Sequence, residues 1–355
     1  VFERSKARGV ALNDFAFNAA ISACGRNWGK ALELLDDMQQ RDLEPNIITY
    51  SSLISACAKG GQWEKALKLF DEARRGELEP NLITYNALIA ACGKGGQLKK
   101  ALEIFDDLQT RGGGMEPDIV TYNALISACD RGKNSKKALE LFHEARRRGL
   151  EPTRVTYNAL ITTCGKAGNW KKALEIFGAS QLRGLEPDRI TYGALFAACA
   201  KGGQWKKALE FFDELQQQGI QPYTTTYNAL ISACAKAGRW EKALEIFDDL
   251  QTRGGGMEPD IVTYNALISA CDRGKNSKKA LELFHEARRR GLEPTRVTYN
   301  ALITTCGKAG NWKKALEIFG ASQLRGLEPD RITYGALFAA CAKGGQWKKA
   351  LEFFD

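Results

Sequence analysis

The stretch from Glu116 to Phe142, EPDIVTYNALISACDRGKNSKKALELF, decides the fold. Within it, TYNALISAC places Tyr122, Leu125, Ile126 and Cys129 at i, i+3, i+4 and i+7, the spacing of one helical face. A glycine-containing turn, DRGKNS, separates this segment from a second one. Elsewhere the second segment reads WKKALEIF, with Trp170, Ala173, Leu174 and Phe177 again on one face. It runs out at a glycine such as Gly184, with Pro187 three residues on, which is helix-stop chemistry. A lone two-helix hairpin cannot bury both apolar stripes, so it must stack on copies of itself.

The copies are present. Cys24, Cys57, Cys92, Cys129, Cys164, Cys199, Cys234, Cys271, Cys306 and Cys341 follow one another at intervals of 33, 35, 37, 35, 35, 35, 37, 35 and 35 residues. Nine prolines, Pro45 to Pro329, punctuate the junctions. Fixed periods of this length mark solenoids. Residues 1–355 therefore read as one array of nine complete units and a truncated tenth, with no linker or second domain. The 37-residue units carry extra glycines in GGGMEPD at 112–118 and 254–260. Residues 100–213 recur unchanged as 242–355, an in-register copy that is either recent or engineered. The missing initial Met and abrupt end suggest a fragment or processed chain, and VFERSKARGV carries no apolar secretion signal.

Composition agrees with a soluble helical array. Of 355 residues, 44% are hydrophobic, and 51 Lys+Arg against 42 Asp+Glu leave a net charge of +9. No apolar run approaches the ~18–20 residues of a membrane span. The ten cysteines never form C-x-x-C, and each ends the apolar stripe of a first helix, where a small buried hydrophobe fits. Equivalent cysteines in stacked hairpins should sit about 9–10 Å apart, too far for a disulfide. The tryptophans at 28, 63, 170, 205, 240, 312 and 347 open second helices and read as core packing.

The string EPDIVTYNALISAC–turn–KKALELF, at a period of 35, resembles the pentatricopeptide repeat family, P-type subclass, over all ten units. Tetratricopeptide repeats share the hairpin but run about 34 residues and lack the TYN and EPD punctuation. The resemblance implies an all-α, right-handed superhelical α-solenoid of about ten two-helix repeats. It implies binding of single-stranded RNA in a chloroplast or mitochondrion, alongside other ribonucleoprotein components. It calls for no cofactor, metal, membrane or small-molecule substrate.

In that family one repeat reads one base, through the residue after the first-helix aromatic and the residue after the closing proline. Carried over, Asn18 with Asn46 implies C, and Ser51 with Asn81 implies A. Asn86 with Asp118, Asn158 with Asp188, Asn228 with Asp260 and Asn300 with Asp330 imply U. Asn123 with Thr153 and Asn265 with Thr295 imply either pyrimidine. Gly193 with Tyr223 departs from the code, and the tenth unit has Gly335 and no closing residue. The implied target is 5′-C-A-U-Y-U-N-U-Y-U-N. Asn in a first turn and Asp after Pro also read as helix caps, and the residues alone leave both readings open.

Two further positions recur. Two residues after each cysteine stands a cation: Arg26, Lys59, Lys94, Arg131, Lys166, Lys201, Lys236, Arg273, Lys308 and Lys343. Each complements its helix dipole, and stacking would align them in a stripe suited to phosphates, the role the family gives them. Two residues before the aromatic stand Ile48, Ile83, Val120, Val155, Ile190, Val262, Val297 and Ile332, with Phe15 and Thr225 as exceptions. Core packing would explain them, while in the family they flank each base. The lysine pairs opening second helices, such as Lys171-Lys172 and Lys206-Lys207, face Glu one turn on and read as a salt-bridged outer surface.

Enzyme motifs are absent. His143 and His285 begin HEARR, not HExxH, and the H-x-E with C-x-x-C of a deaminase is missing, so the chain reads as non-catalytic. Two rivals to sequence-specific RNA binding stand: a structural subunit of an organellar ribonucleoprotein or ribosome, and a tetratricopeptide-like protein-binding scaffold.

Overall fold

The computed structural model describes residues 13–253, 256–274 and 276–352, apart from the side chains of Arg253 and Trp347. Twenty helices and no strand occur among the described residues. The first helices of the ten repeats are α1 (Asp14–Ala23), α3 (Ile47–Lys59), α5 (Leu82–Lys94), α7 (Ile119–Arg131), α9 (Arg154–Lys166), α11 (Arg189–Gly202), α13 (Thr224–Lys236), α15 (Ile261–Arg273), α17 (Arg296–Lys308) and α19 (Arg331–Lys343). The second helices are α2 (Trp28–Gln39), α4 (Trp63–Arg75), α6 (Leu98–Arg111), α8 (Ser135–Arg147), α10 (Trp170–Gln181), α12 (Trp205–Gln217), α14 (Trp240–Arg253), α16 (Ser277–Arg289), α18 (Trp312–Gln323) and α20 (Trp347–Leu351). They form two compact units, Val1–Ala167 with Lys172–Glu186, and Gly168–Lys171 with Pro187–Asp355.

In each unit the first helices pack on one another in chain order: α1, α3, α5, α7 and α9 in one, and α11 through α19 in the other. Within each unit a second helix lies against its own first helix and the next repeat's first helix, as α4 does against α3 and α5 and α14 against α13 and α15. The protein is thus an α-solenoid of two-helix repeats. The stripe read from TYNALISAC is buried: Tyr122, Leu125, Ile126 and Cys129 are each 0% exposed. The tyrosine also ties repeats together. Tyr85 meets Phe70 edge-on, with ring centroids 5.3 Å apart, and its hydroxyl donates to Asp107 Oδ2 at 2.9 Å. An edge-to-face pair with a satisfied hydroxyl lets a large aromatic be buried without an orphaned polar atom.

Nine cysteines are buried and Cys24 is half-buried, and all are free thiols. Burial pushes the Cys129 thiol up to about 11 and Cys199 up to about 12, which makes them small hydrophobes with no thiolate chemistry near neutral pH. The tryptophans differ from the core expectation. Trp28, Trp63, Trp170, Trp205, Trp240 and Trp312 are only half-buried, and the Trp347 side chain lies outside the described residues. Instead of entering the core, the indole lies on the turn of the next repeat. A Cβ added at Gly60 would come within 2.4 Å of Trp28 Cδ1, and one at Gly95 within 2.3 Å of Trp63 Cδ1. Glycine in those turns is the space the indole occupies.

The interrepeat stop is as expected at Gly184, whose φ of +70° is left-handed. The lysine pairs behave as a solvated surface: Lys172 Nζ lies 2.6 Å from Glu175 and Lys207 Nζ 2.5 Å from Glu210. Of the two inserted glycine loops, the one at 112–118 is described, and the second includes Gly254 and Gly255, which fall outside the described residues.

Candidate nucleic-acid interface

The residue after each closing proline is the N-cap of the next first helix. Asp118 is extended, with φ −98° and ψ 179°, and its Oδ1 accepts from the Thr121 amide at 2.8 Å. The Thr121 hydroxyl in turn accepts from the Asp118 amide at 3.2 Å, closing a reciprocal capping box. The same box forms at Asn46 with Thr49, Asp260 with Thr263 and Asp330 with Thr333. Capping therefore does constrain these residues. It uses only one oxygen of each side chain, Oδ1.

The residue after the aromatic turns toward that cap. Asn86 Nδ2 donates to Asp118 Oδ1 at 3.2 Å, while the Thr121 hydroxyl donates to Asn86 Oδ1 at 2.6 Å. Asn228 repeats this with Asp260 at 3.0 Å and Thr263 at 2.6 Å. Asn300 does so with Asp330 at 3.2 Å and Thr333 at 2.7 Å, and Asn18 with Asn46 at 3.4 Å and Thr49 at 2.6 Å. Each such asparagine keeps one amide hydrogen uncommitted, and each cap keeps its second polar atom, except that Asp330 Oδ2 meets Arg296 Nε at 3.1 Å. Burial pushes the Asp260 carboxyl up, but hydrogen bonds from the Thr263 amide and the Asn228 amide outweigh it and hold the group below its ordinary value. The Thr333 amide lowers Asp330 likewise, with the Asn300 amide and the Arg296 guanidinium adding to it.

Four repeats depart from that pattern. Ser51 Oγ sits 2.6 Å from Thr84 Oγ1 and 2.6 Å from the Ile47 carbonyl, beneath the cap Asn81. In the repeats closed by Thr153 and Thr295, the Asn123 and Asn265 Oδ1 atoms are buried and have no hydrogen-bond partner. Asn158 is buried, and Asp188 caps α11. At Gly193 a Cβ would meet nothing within 4 Å, and nearby Tyr223 is 48% exposed with the Arg189 guanidinium 4.2 Å from its ring centre.

The Val/Ile positions lie outside the core, against the packing explanation. Ile48, Ile83, Val120, Val155, Ile190, Val262, Val297 and Ile332 are between 53% and 70% exposed, and Phe15 is 77% exposed. Thr225 is exposed too. They form one apolar, solvent-facing position per repeat in the first turn of each first helix, next to the polar pairs. Periodicity could not distinguish this face from the buried one, because both follow helical spacing.

The ten cations stand at the opposite end of the first helices, and several serve the preceding repeat. Lys94 Nζ donates to the Ala58 carbonyl at 3.2 Å. Lys236 donates to the Lys201 carbonyl, Arg273 to that of Lys236, and Lys343 to that of Lys308. The dipole they complement is therefore mainly the neighbour's, which sequence spacing alone does not reveal. Lys166 and Lys308 instead pair with Asp130 at 2.5 Å and Asp272 at 2.6 Å. Arg26, Lys59, Arg131 and Lys201 are exposed.

One concavity joins all three residue classes. A groove of about 530 Å³ runs across α13, α15 and α17 and is lined by Val262, Val297, Asn265, Ser269, Lys236 and Arg273, among others. It offers two apolar walls, a buried amide oxygen without a partner, and two cations. No group of His, Cys, Asp and Glu able to hold a metal occurs among the described residues.

Family models match the repeat along most of the chain. The family model described as "Pentatricopeptide repeat domain" matches residues 33–95, 103–167, 175–237 and 245–309. "PPR repeat family" matches 294–343, and "PPR repeat" matches 83–113, 155–185, 225–255 and 332–355. Among curated proteins none matches this chain. Among solved structures, the pentatricopeptide repeat protein PPR10 from maize aligns with 99% of this chain and 64% of its own at 23% identity and a TM-score of 0.48. PPR10 in complex with an 18-nt psaJ RNA element aligns with 99% of this chain and 60% of its own, at 26% identity and a TM-score of 0.48. Yeast Rmd9p in complex with a 16-nt target RNA covers 89% of this chain and 71% of its own at 14% identity and a TM-score of 0.47. The chain spans less than two thirds of the maize structures it matches.

Proposed function

Because this chain belongs to the pentatricopeptide repeat family, we propose that it binds single-stranded RNA along the first helices, one base per repeat, in an organellar transcript. The observation that carries this reading is the groove across α13, α15 and α17, lined by Val262 and Val297 from successive repeats together with Asn265, Lys236 and Arg273. Aliphatic walls one repeat apart accept the faces of a base whatever its identity. The amide then meets its edge, and the cations meet the backbone.

The polar pairs fit the code. An asparagine donating its second amide hydrogen, beside the Oδ2 of an ionised aspartate such as Asp118 or Asp260, complements a uracil carbonyl and N3–H. Replacing the aspartate by asparagine, as at Asn46, presents two donors, which suits the two adjacent acceptors of cytosine. The proposed target is 5′-C-A-U-Y-U-N-U-Y-U-N, with the sixth base unassigned because Gly193 supplies no side chain. The array binds and positions RNA and makes or breaks no bond in it.

Fluorescence anisotropy with this 10-nucleotide RNA tests the reading. Tight binding is expected, together with at least ~100-fold weaker binding of a purine-substituted oligomer, given roughly 1–3 kcal/mol per mismatched base. Equal affinity for the two would sink it.

A further inference from the structure

We propose that the threonine three residues into each first helix is a positioning residue that sets how strictly the preceding repeat discriminates C from U. This rests on the base-reading assignment above. The threonine hydroxyl works as an orientational lock on the asparagine amide. An amide can turn over about its last bond, exchanging a donor face for an acceptor face at little steric cost. In four repeats that freedom is removed at both ends. Thr121 donates to Asn86 Oδ1, so the Asn86 nitrogen must face Asp118, and Thr49, Thr263 and Thr333 do the same to Asn18, Asn228 and Asn300. A locked asparagine shows the base a donor and nothing else.

The repeats closed by threonine lack the lock, although they keep the threonine. Thr153 offers no carboxylate or amide oxygen for the Asn123 nitrogen. Thr156 accepts from the Thr153 amide at 3.0 Å and lies 3.4 Å from the Thr153 hydroxyl. Asn123 Oδ1 is left without a partner. The second copy behaves identically: Thr298 accepts from the Thr295 amide at 3.0 Å, and Asn265 Oδ1 is unpartnered. These two amides are free to present either face, so each accepts either pyrimidine. Discrimination is then a property of a three-residue relay, cap to amide to threonine, and the two polar residues alone do not determine it.

The molecule supplies a matched control. Thr121→Val and Thr156→Val each remove a capping-box hydroxyl, from Asp118 and Thr153 respectively, and cost similar helix stability. Only the first removes a lock. The experiment measures Kd of the full chain for 10-mers carrying U or C at the third or the fourth base, with thermal melting of each variant alongside. Wild type is expected to favour U over C ~10-fold or more at the third base and less than ~3-fold at the fourth, from one hydrogen bond kept or lost. Thr121→Val should bring the third-base ratio down to the fourth-base level, Thr121→Ser should retain it, and Thr156→Val should change neither ratio. If Thr121→Val keeps the full U preference, or Thr121→Ser loses it as completely as Val, the lock is wrong while base reading stands. If wild type shows no U preference at the third base, base reading itself fails and the lock with it. A second readout needs no RNA: the Asn86 side-chain amide protons should exchange with solvent more slowly than those of Asn123, and equal rates would overturn the lock.

Discussion

Asp118→Asn should convert the third base from U to C, and the geometry gives the reason and the size. Asp118 Oδ1 accepts from the Thr121 amide at 2.8 Å and from Asn86 Nδ2 at 3.2 Å. Those two donors require an oxygen there, so the new amide must enter with its oxygen in the Oδ1 place. Its nitrogen then occupies the Oδ2 place, and the atom facing the base changes from acceptor to donor. This pose already exists in the first repeat, where Asn46 Oδ1 accepts from the Ile48 amide at 3.0 Å, the Thr49 amide at 3.2 Å and Asn18 Nδ2 at 3.4 Å. Uracil then loses a bond to a carboxylate and opposes its N3–H to another donor. A hydrogen bond to a charged group contributes roughly 1.5–3 kcal/mol, so U should weaken by about 2 kcal/mol, or ~30-fold, while C gains. Competition anisotropy with all four bases at the third position, and again at the seventh, reads the result. A change spread equally over both positions would refute the local reasoning. So would continued preference for U at the third position.

Four other outcomes follow from the same structure. Gly95→Ala drives a Cβ to within 2.3 Å of Trp63 Cδ1, so it should cost ~1–3 kcal/mol of stability in a thermal melt, whereas Gly193→Ala, with nothing within 4 Å, should leave the melt unchanged. Native protein at pH 8 should expose no more than the Cys24 thiol to a thiol reagent and all ten in denaturant, since burial holds Cys199 up near 12 and Cys92 near 11; rapid native labelling of several would contradict this. Asp130→Asn releases Lys166 from its 2.5 Å pair, and the log–log salt slope of RNA binding should steepen by about 0.7, an unchanged slope removing Lys166 from the phosphate contacts. Asp260 and Asp330 have lowered pKa values and act ionised, so U reading should be level from pH 8 to pH 5 and decline only as pH falls below the ordinary carboxylate range; a midpoint near pH 6 would show that other groups control it.

The sequence displayed the fold almost completely, because a helix that buries one face writes that face into a 3.6-residue period, and stacking writes the repeat into the cysteine and proline intervals. What it hid were facts about neighbours. Trp63 looks like a core residue when its own helix is considered, yet its place is set by Gly95 in the following repeat, a relation 32 residues away. Val120 and Val155 have the apolar character of core residues, and only packing shows that they stand in solvent at 54% and 61% exposure. Lys94 reads as a cap for its own helix but donates to the Ala58 carbonyl of the helix before it. Thr121 reads only as half of a capping box, since nothing local indicates that its hydroxyl reaches Asn86.

Capping and the proposed base reading are alternatives for the residue after proline on the sequence alone, and the geometry of the repeats makes them compatible. The lock occurs beneath Asn46, Asp118, Asp260 and Asp330, on helices as different as DFAFNAAISA, LITYNALIAACGK and TTTYNALISACAK. It is missing beneath Thr153 and Thr295, although IVTYNALISACDR above them has the same TYNALISAC core as α13, which keeps it. Surroundings therefore do not decide the state of the amide; the cap does. A planar cap with two polar atoms can satisfy the helix with one and leave the other for a ligand, and its capping oxygen also fixes the neighbouring asparagine. Threonine closes the box with its neighbour's hydroxyl and supplies neither function. Helix stability tolerates both kinds of cap, so the choice between them is free to be made on the side of the helix that faces the proposed RNA.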